Sequence, residues 1–400
     1  MNLLVNAASL DLKSPRGLEN YAIGIIRGLS HHVGDIYVNV QASNAPAARR
    51  EFAALDRVHV VETPDRLPPA WRFQSRRALP FRLLRRARIE VVKAYRARRL
   101  RRLIEEASID ALFNPEHLSP CERIGDLPTL STVHRILMTY AEREILIAKG
   151  HVEKANAVVC CWPVPYDELT ELMPTHAHKV ARIPYLADHL LVTPDLSVRE
   201  HHELPERFFF YPAVAIPRKN HRCLIEAYGV AKSRGVELPH LVCSGGFVDD
   251  AYEAELRGLV AELGLGGHIR FIGHVSNAEM AGLYALCTAG VSSSFNEAGM
   301  AVIQEAGYLR RPVVCSNTPE AMTQAALYGW GLPMFDPNDP EDIARVLEGF
   351  IAEEPRHIAE AKHASEMIRA YSGEVIGQRY AELFHWICGK KDRPEWHPFA

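Results

Sequence analysis

A chain of 400 residues, 48% of them apolar, has enough material for two domains with separate cores. Its 46 basic and 49 acidic residues leave a net charge of −3. No apolar run reaches the roughly 18 residues of a membrane-spanning helix, and the start, Met1-Asn-Leu-Leu-Val-Asn6, lacks the basic region and cleavage site of a signal peptide. The eight cysteines are scattered through apolar stretches such as Val158–Trp162 and Val313–Ser316, with no CxxC and no His/Cys metal spacing. Buried thiols in a reducing cytoplasm are the expectation.

In the first half, strands are expected at Leu3–Ala7, Asp35–Gln41, Arg57–Glu62, Ala111–Asn114, Thr129–His134 and Ala157–Trp162. Helices are expected over Leu18–Leu29, Arg82–Glu106 and Leu137–Lys149. The stretch Ile183–Leu204 has little periodicity and reads as a linker. The second half alternates regularly. Strands fit Arg207–Ile216, His240–Gly245, His268–Gly273, Ala289–Ser294, Pro312–Ser316 and Leu332–Phe335. Helices fit Lys219–Ser233, Ala251–Leu263, Asn277–Leu286, Met300–Leu309, a segment near Glu320 and Pro340–Ile351. A final amphipathic helix is expected over Gly373–Ile387. This alternation predicts βαβ units, parallel sheets and doubly wound α/β domains. The expected division is an N-terminal domain over 1–190, a linker over 191–206, a second domain over 207–372, and a C-terminal helix over 373–400 that returns to the first domain.

Charge is unevenly placed. Between Trp71 and Arg102 stand twelve arginines, one lysine and the single acid Glu90, interleaved with Trp71, Phe73, Leu79, Phe81, Leu83 and Leu84. Arg76, Arg77, Arg82, Arg85 and Arg86 head this patch. It suits an anionic membrane surface or a lipid-diphosphate acceptor. A solvated helix face and a nucleic-acid patch are the alternatives, and no nucleic-acid motif accompanies it.

The most informative stretch is 292–306. Glu297 falls in the loop after an expected strand, and Glu305 falls on the following helix. In open α/β sheets, ligands bind at the carboxyl ends of the strands. Unpaired N–H groups at the helix start, from Gly299 to Ala301 and including Met300, favour a phosphate. Two carboxylates flanking an anion site suit a nucleotide sugar. Lys219 and Arg218 follow another strand and supply fixed positive charge. Gly245-Gly246 reads as a tight turn without a dinucleotide fingerprint.

Four features together resemble the retaining GT-B glycosyltransferases of the group 1 family. They are the Glu297-x7-Glu305 element followed by Pro312-Val-Val, the strand, basic loop and helix from Phe208 to Tyr228, the segment Ile269–Val275 with its following short helix, and the strand end Ser131–His134. The resemblance implies two doubly wound Rossmann-like domains facing across a cleft. It implies transfer of a sugar from a UDP- or GDP-sugar to a glycan or lipid-linked acceptor, without a metal or cofactor, in surface-polysaccharide assembly. The expected location is the cytoplasm, with a peripheral position on the inner face of the cytoplasmic membrane as the alternative that the basic run offers. By the same resemblance Glu297 contacts donor-sugar hydroxyls and Glu305 holds the ribose. His134 orients the sugar and leaving group, and the Gly17–Asn20 loop approaches phosphates and acceptor. Two positions depart from the family pattern. Gly299 comes two residues after Glu297, and Ala213 stands near the family's usual arginine, for which Arg218 is the nearest replacement. An epimerase or hydrolase on the same fold, or an inactive membrane-associated scaffold, are the alternative functions.

Overall fold

The computed structural model describes residues 1–13, 17–64, 95–116, 121, 123–134, 142–184 and 187–396. They form two compact units. The first comprises Met1–Cys161, Pro165–Pro184 and Gly373–Ala400, and the second comprises Trp162–Val164 and Tyr185–Ser372.

The first unit carries a seven-stranded sheet of β1 (Asn2–Asn6), β2 (Ile36–Gln41), β3 (Val58–Thr63), β4 (Ile109–Asn114), β5 (Thr129–Val133), β6 (Ala157–Cys160) and β7 (Val180–Arg182), in the order β3-β2-β1-β4-β5-β6-β7. All its pairings are parallel. The central strands are covered on both faces, so they read as continuous apolar runs such as Leu3-Leu4-Val5, each residue fully buried. The edge strand β3 is partly exposed.

The helix Gly373–Ile387 belongs to this unit and crosses the helix Gly17–Leu29 at a glycine–glycine contact. A Cβ on Gly377 would lie 2.2 Å from the Gly28 carbonyl carbon, and one on Gly28 would lie 2.3 Å from the Gly373 oxygen. Only glycine permits that approach. Tyr380 and Phe384 then pack edge-on to Phe113 of β4, and the Tyr380 hydroxyl meets that of Tyr21.

The second unit carries β8 (Phe208–Pro212), β9 (His240–Ser244), β10 (Ile269–Gly273), β11 (Ala289–Ser292), β12 (Val313–Ser316) and β13 (Met334–Phe335), in the order β10-β9-β8-β11-β12-β13. It too is parallel throughout. Phe208, Phe209, Phe210 and Tyr211 are almost wholly buried at its centre. The segment 187–206 packs within this unit. The Asp195 N–H bonds to the Ala278 carbonyl at 2.9 Å, and Val198 is fully buried.

The expected strands all form, several of them shorter than read. β7 and the helices Ala45–Glu51, Pro163–Leu172 and Glu354–Arg369 were not expected. Each of these helices has proline at its first or second position, where its missing N–H costs nothing. Of the expected helix Arg82–Glu106, residues 95–106 are described and are helical. No helix of the described residues is long and apolar enough to cross a membrane.

Each sheet reverses strand order once, between β1 and β4 in the first and between β8 and β11 in the second. The loops beyond the carboxyl ends of these strand pairs are where a doubly wound sheet opens a crevice.

Candidate active site

In the second unit, the loops after β8 and β11 flank the reversal. The chain leaves β8 through a 3-10 turn, Pro217–Lys219, and enters the helix His221–Ser233 at Asn220. Asn220 adopts a left-handed conformation (φ 53°), which asparagine tolerates better than most residues. Its side chain accepts from the Cys223 N–H and donates to the Pro337 carbonyl at 2.7 Å.

The two loops are stitched together. Ser293 Oγ donates to the Asn220 carbonyl at 2.9 Å. The Phe295 N–H donates to the Arg218 carbonyl at 3.0 Å, and the Tyr211 hydroxyl donates to the Lys219 carbonyl. Arg218 Nη1 donates to the Asn296 carbonyl at 2.7 Å and to Glu297 Oε2 at 2.9 Å. Lys219 Nζ pairs with Glu297 Oε1. Three expected site residues therefore form one ion cluster, with side-chain exposures of 20%, 23% and 12% for Arg218, Lys219 and Glu297. Burial alone raises the Glu297 carboxyl, but the Lys219 and Arg218 charges outweigh it and hold the group below its ordinary range. Arg218 thus shares a carboxylate with Lys219, while Ala213 is buried near the end of β8.

Glu305 lies on the helix Ala301–Tyr308, leading away from the same loop. Its Oε2 accepts from the Tyr284 hydroxyl at 2.9 Å, and its Oε1 stands 3.4 Å from His189 Nε2. The helix start differs from expectation in one respect. The Met300 N–H is committed to Gln324 Oε1 at 2.6 Å, so it is not open to a phosphate. Ala301 begins the helix proper. Gly299 has a packing reason to be glycine, because a Cβ there would fall 2.0 Å from Cδ2 of Trp162, a residue of the same unit.

The remaining expected residues belong to the first unit. Gly17 opens its helix in open space, and Asn20 is buried one turn on. His134 follows β5, 8% exposed. Its Nε2 lies 2.8 Å from the Pro115 carbonyl and therefore carries the proton. The Tyr21 ring meets the imidazole edge-on at 4.5 Å. Burial lowers its pKa to about 4, against smaller raising effects of the Pro115 carbonyl and Glu116, so the ring is neutral at pH 7. Arg76, Arg77, Arg82, Arg85 and Arg86 lie outside the described residues.

Sequence reading missed Tyr211, Ser293, Tyr284, His189 and Gln324. The hydroxyls at 292–294, at the end of a buried strand, were the available signal for Ser293. His189 fell in a segment without periodicity. In the first unit a row of amides was also missed. Asn39 donates to Asn6 at 3.3 Å, Asn6 to Asn114 at 3.3 Å and Asn114 to Ser131 at 3.4 Å, across four adjacent strands. Above them Ser9 Oγ bonds to Glu116 Oε1 at 2.7 Å.

Comparison with known proteins fits this architecture. The chain aligns with Anabaena Alr3699/HepE, solved with UDP and glucose, at a TM-score of 0.71 and 17% identity, covering 96% of this chain and 98% of that one. It aligns with WaaG, a glycosyltransferase involved in lipopolysaccharide biosynthesis, at a TM-score of 0.63 and 13% identity, covering 96% and 99%. At these identities the likeness is one of fold, and the fold is GT-B. Residues 194–370 match the model of the family described as glycosyl transferases group 1. The serotype-specific mannosyltransferase WbdA of Escherichia coli is 27% identical over 204 residues, 50% of this chain and 24% of WbdA. The O-antigen chain mannosyltransferase B of Escherichia coli is 34% identical over 161 residues, 39% of this chain and 40% of that protein. The matches thus span well under half the length of these curated relatives.

Proposed function

We propose that this chain transfers a hexosyl group from a nucleoside-diphosphate sugar to a hydroxyl of a glycan or lipid-linked acceptor, with retention and without a metal. The observation that carries the reading is the Arg218–Glu297–Lys219 cluster at the strand reversal of the second sheet. Departure of the nucleoside diphosphate puts negative charge on phosphate oxygens, and two cations fixed in a partly dry site stabilise it. Without donor, Glu297 pairs with both cations and leaves the cluster one positive charge in excess. On this reading phosphate oxygens replace Glu297 as their partner, and the freed carboxylate accepts hydroxyls of the sugar. Glu305 takes the ribose.

His134, in the first unit, is a neutral imidazole at pH 7. The relatives named mannosyltransferases make mannose the first sugar to test. The basic run at 71–102 favours an acceptor held at an anionic membrane surface. Incubation of the chain with UDP-, GDP- and ADP-hexoses and a polysaccharide-primed lipid, in excess EDTA, tests the reading. Formation of an α-linked product from an α-configured donor of one nucleotide class is expected. Sugar release or epimerisation without acceptor, or no turnover with any donor, contradicts it.

A further inference from the structure

Glu305 is held from two sides by groups that the Glu-x7-Glu pattern does not include. Tyr284 ends the helix Asn277–Leu286, and its ring is fully buried, edge-on to Phe210 of β8 at 5.1 Å. That packing leaves the hydroxyl little freedom, and it donates to Glu305 Oε2 at 2.9 Å. His189 sits in the 3-10 turn Asp188–Leu190, 8% exposed, with Nε2 3.4 Å from Glu305 Oε1. Its Nδ1 is buried and has no hydrogen-bond partner among the described residues.

An ionised carboxylate offers about four lone-pair sites, two on each oxygen. Tyr284 occupies one on Oε2, and His189 faces Oε1 at ion-pair distance. One direction on each oxygen is left, which matches the two neighbouring hydroxyls of a vicinal diol. Without these two contacts, the terminal torsion of a glutamate on a helix surface rotates broadly. A polar nitrogen left unpaired inside a protein is uncommon and calls for a cause. Here the imidazole lies beside a carboxylate at 13% side-chain exposure, not in a sealed core.

We propose that Tyr284 and His189 are positioning residues that orient the Glu305 carboxylate to take the vicinal diol of a nucleoside. The inference rests on reading Glu305 as the ribose anchor of the donor site. The test is calorimetric titration of UDP and GDP, and of their 2′,3′-dideoxy forms, into wild type, Tyr284→Phe, His189→Leu and His189→Gln. Wild type is expected to prefer the ribose form by about tenfold or more, the worth of one to two hydrogen bonds. Tyr284→Phe and His189→Leu should weaken the ribose form and leave the dideoxy form unchanged, so that the preference collapses. His189→Gln, which retains an N–H donor, should restore part of it. Equal weakening of both forms by the variants, or no weakening of either, overturns the inference while leaving the ribose anchor standing. Equal affinity of wild type for both forms shows instead that Glu305 does not anchor the ribose, and the inference falls with that reading.

Discussion

The two sheets share an architecture and differ in what stands at their strand reversals. In the second unit that position holds two cations and a carboxylate, locked by backbone bonds between the loops after β8 and β11. In the first unit it holds neutral groups, namely the Asn39–Asn6–Asn114–Ser131 row, and one buried carboxylate, Glu116, bonded to Ser9. His134 beside them is kept uncharged by burial. Fixed charge suits a diphosphate, and arrays of neutral donors and acceptors suit sugar hydroxyls. The same fold thus carries fixed charge at the strand reversal of one unit and mostly neutral polar side chains, on strands, at that of the other.

Removing charge from the second reversal should have the largest effect. Lys219→Ala should lower kcat/KM for the donor by about 10²–10³, as loss of one preorganised charge-stabilising donor does elsewhere. Steady-state rates over a donor series check this, and an effect under tenfold breaks the contrast between the units. The stability cost of Glu297→Ala comes next. It leaves two partly buried cations without their shared partner and should cost about 2–3 kcal/mol in denaturant unfolding, less than the value for a fully buried pair because each cation is about one-fifth exposed. Glu297→Gln should recover part of the loss through its remaining carbonyl oxygen.

A pH titration separates the units in another way. His134 has its pKa lowered from 6.5 to about 4. Between those values the unfolded chain takes up a proton that the folded chain refuses, so stability falls as pH falls, by about 3 kcal/mol for this group. His221 in the second unit, stacked on Tyr211 and lowered to about 3, acts in the same direction over a wider range. Glu297 is depressed, so its contribution is fully present above the ordinary glutamate value of 4.5 and is lost as pH falls from there through its lowered value. Urea unfolding of wild type and His134→Phe at pH 7 and pH 5 should show a smaller pH dependence in the variant. The smallest expected effect is that of Asn114→Ala. It should raise the acceptor KM a few-fold, the scale of one lost hydrogen bond, and leave the donor KM unchanged.

The parts legible in the sequence were those that local pattern fixes. Alternating apolar strands and helices gave both parallel sheets, and the Glu-x7-Glu spacing with the Arg218-Lys219 pair led to the loops of the second reversal. What stayed hidden depends on register between distant strands. Asn6, Asn39 and Asn114 lie in three segments, and only the pairing of β2, β1 and β4 brings them into a row. The Tyr284 ring is buried, and nothing local says that its hydroxyl reaches Glu305. Met300 read as an open helix start because Gln324, its actual partner, is 24 residues away.

The proposed function stands or falls with Arg218 and Lys219 as the diphosphate site of the second unit. Its most direct measurement is titration of UDP and GDP into wild type, Lys219→Ala and Arg218→Ala, in excess EDTA and at two salt concentrations. Metal-independent binding of one nucleotide is expected, weakened at least tenfold by either substitution and less salt-sensitive in both variants. Binding that neither substitution weakens, or that appears only with a divalent metal, would contradict it.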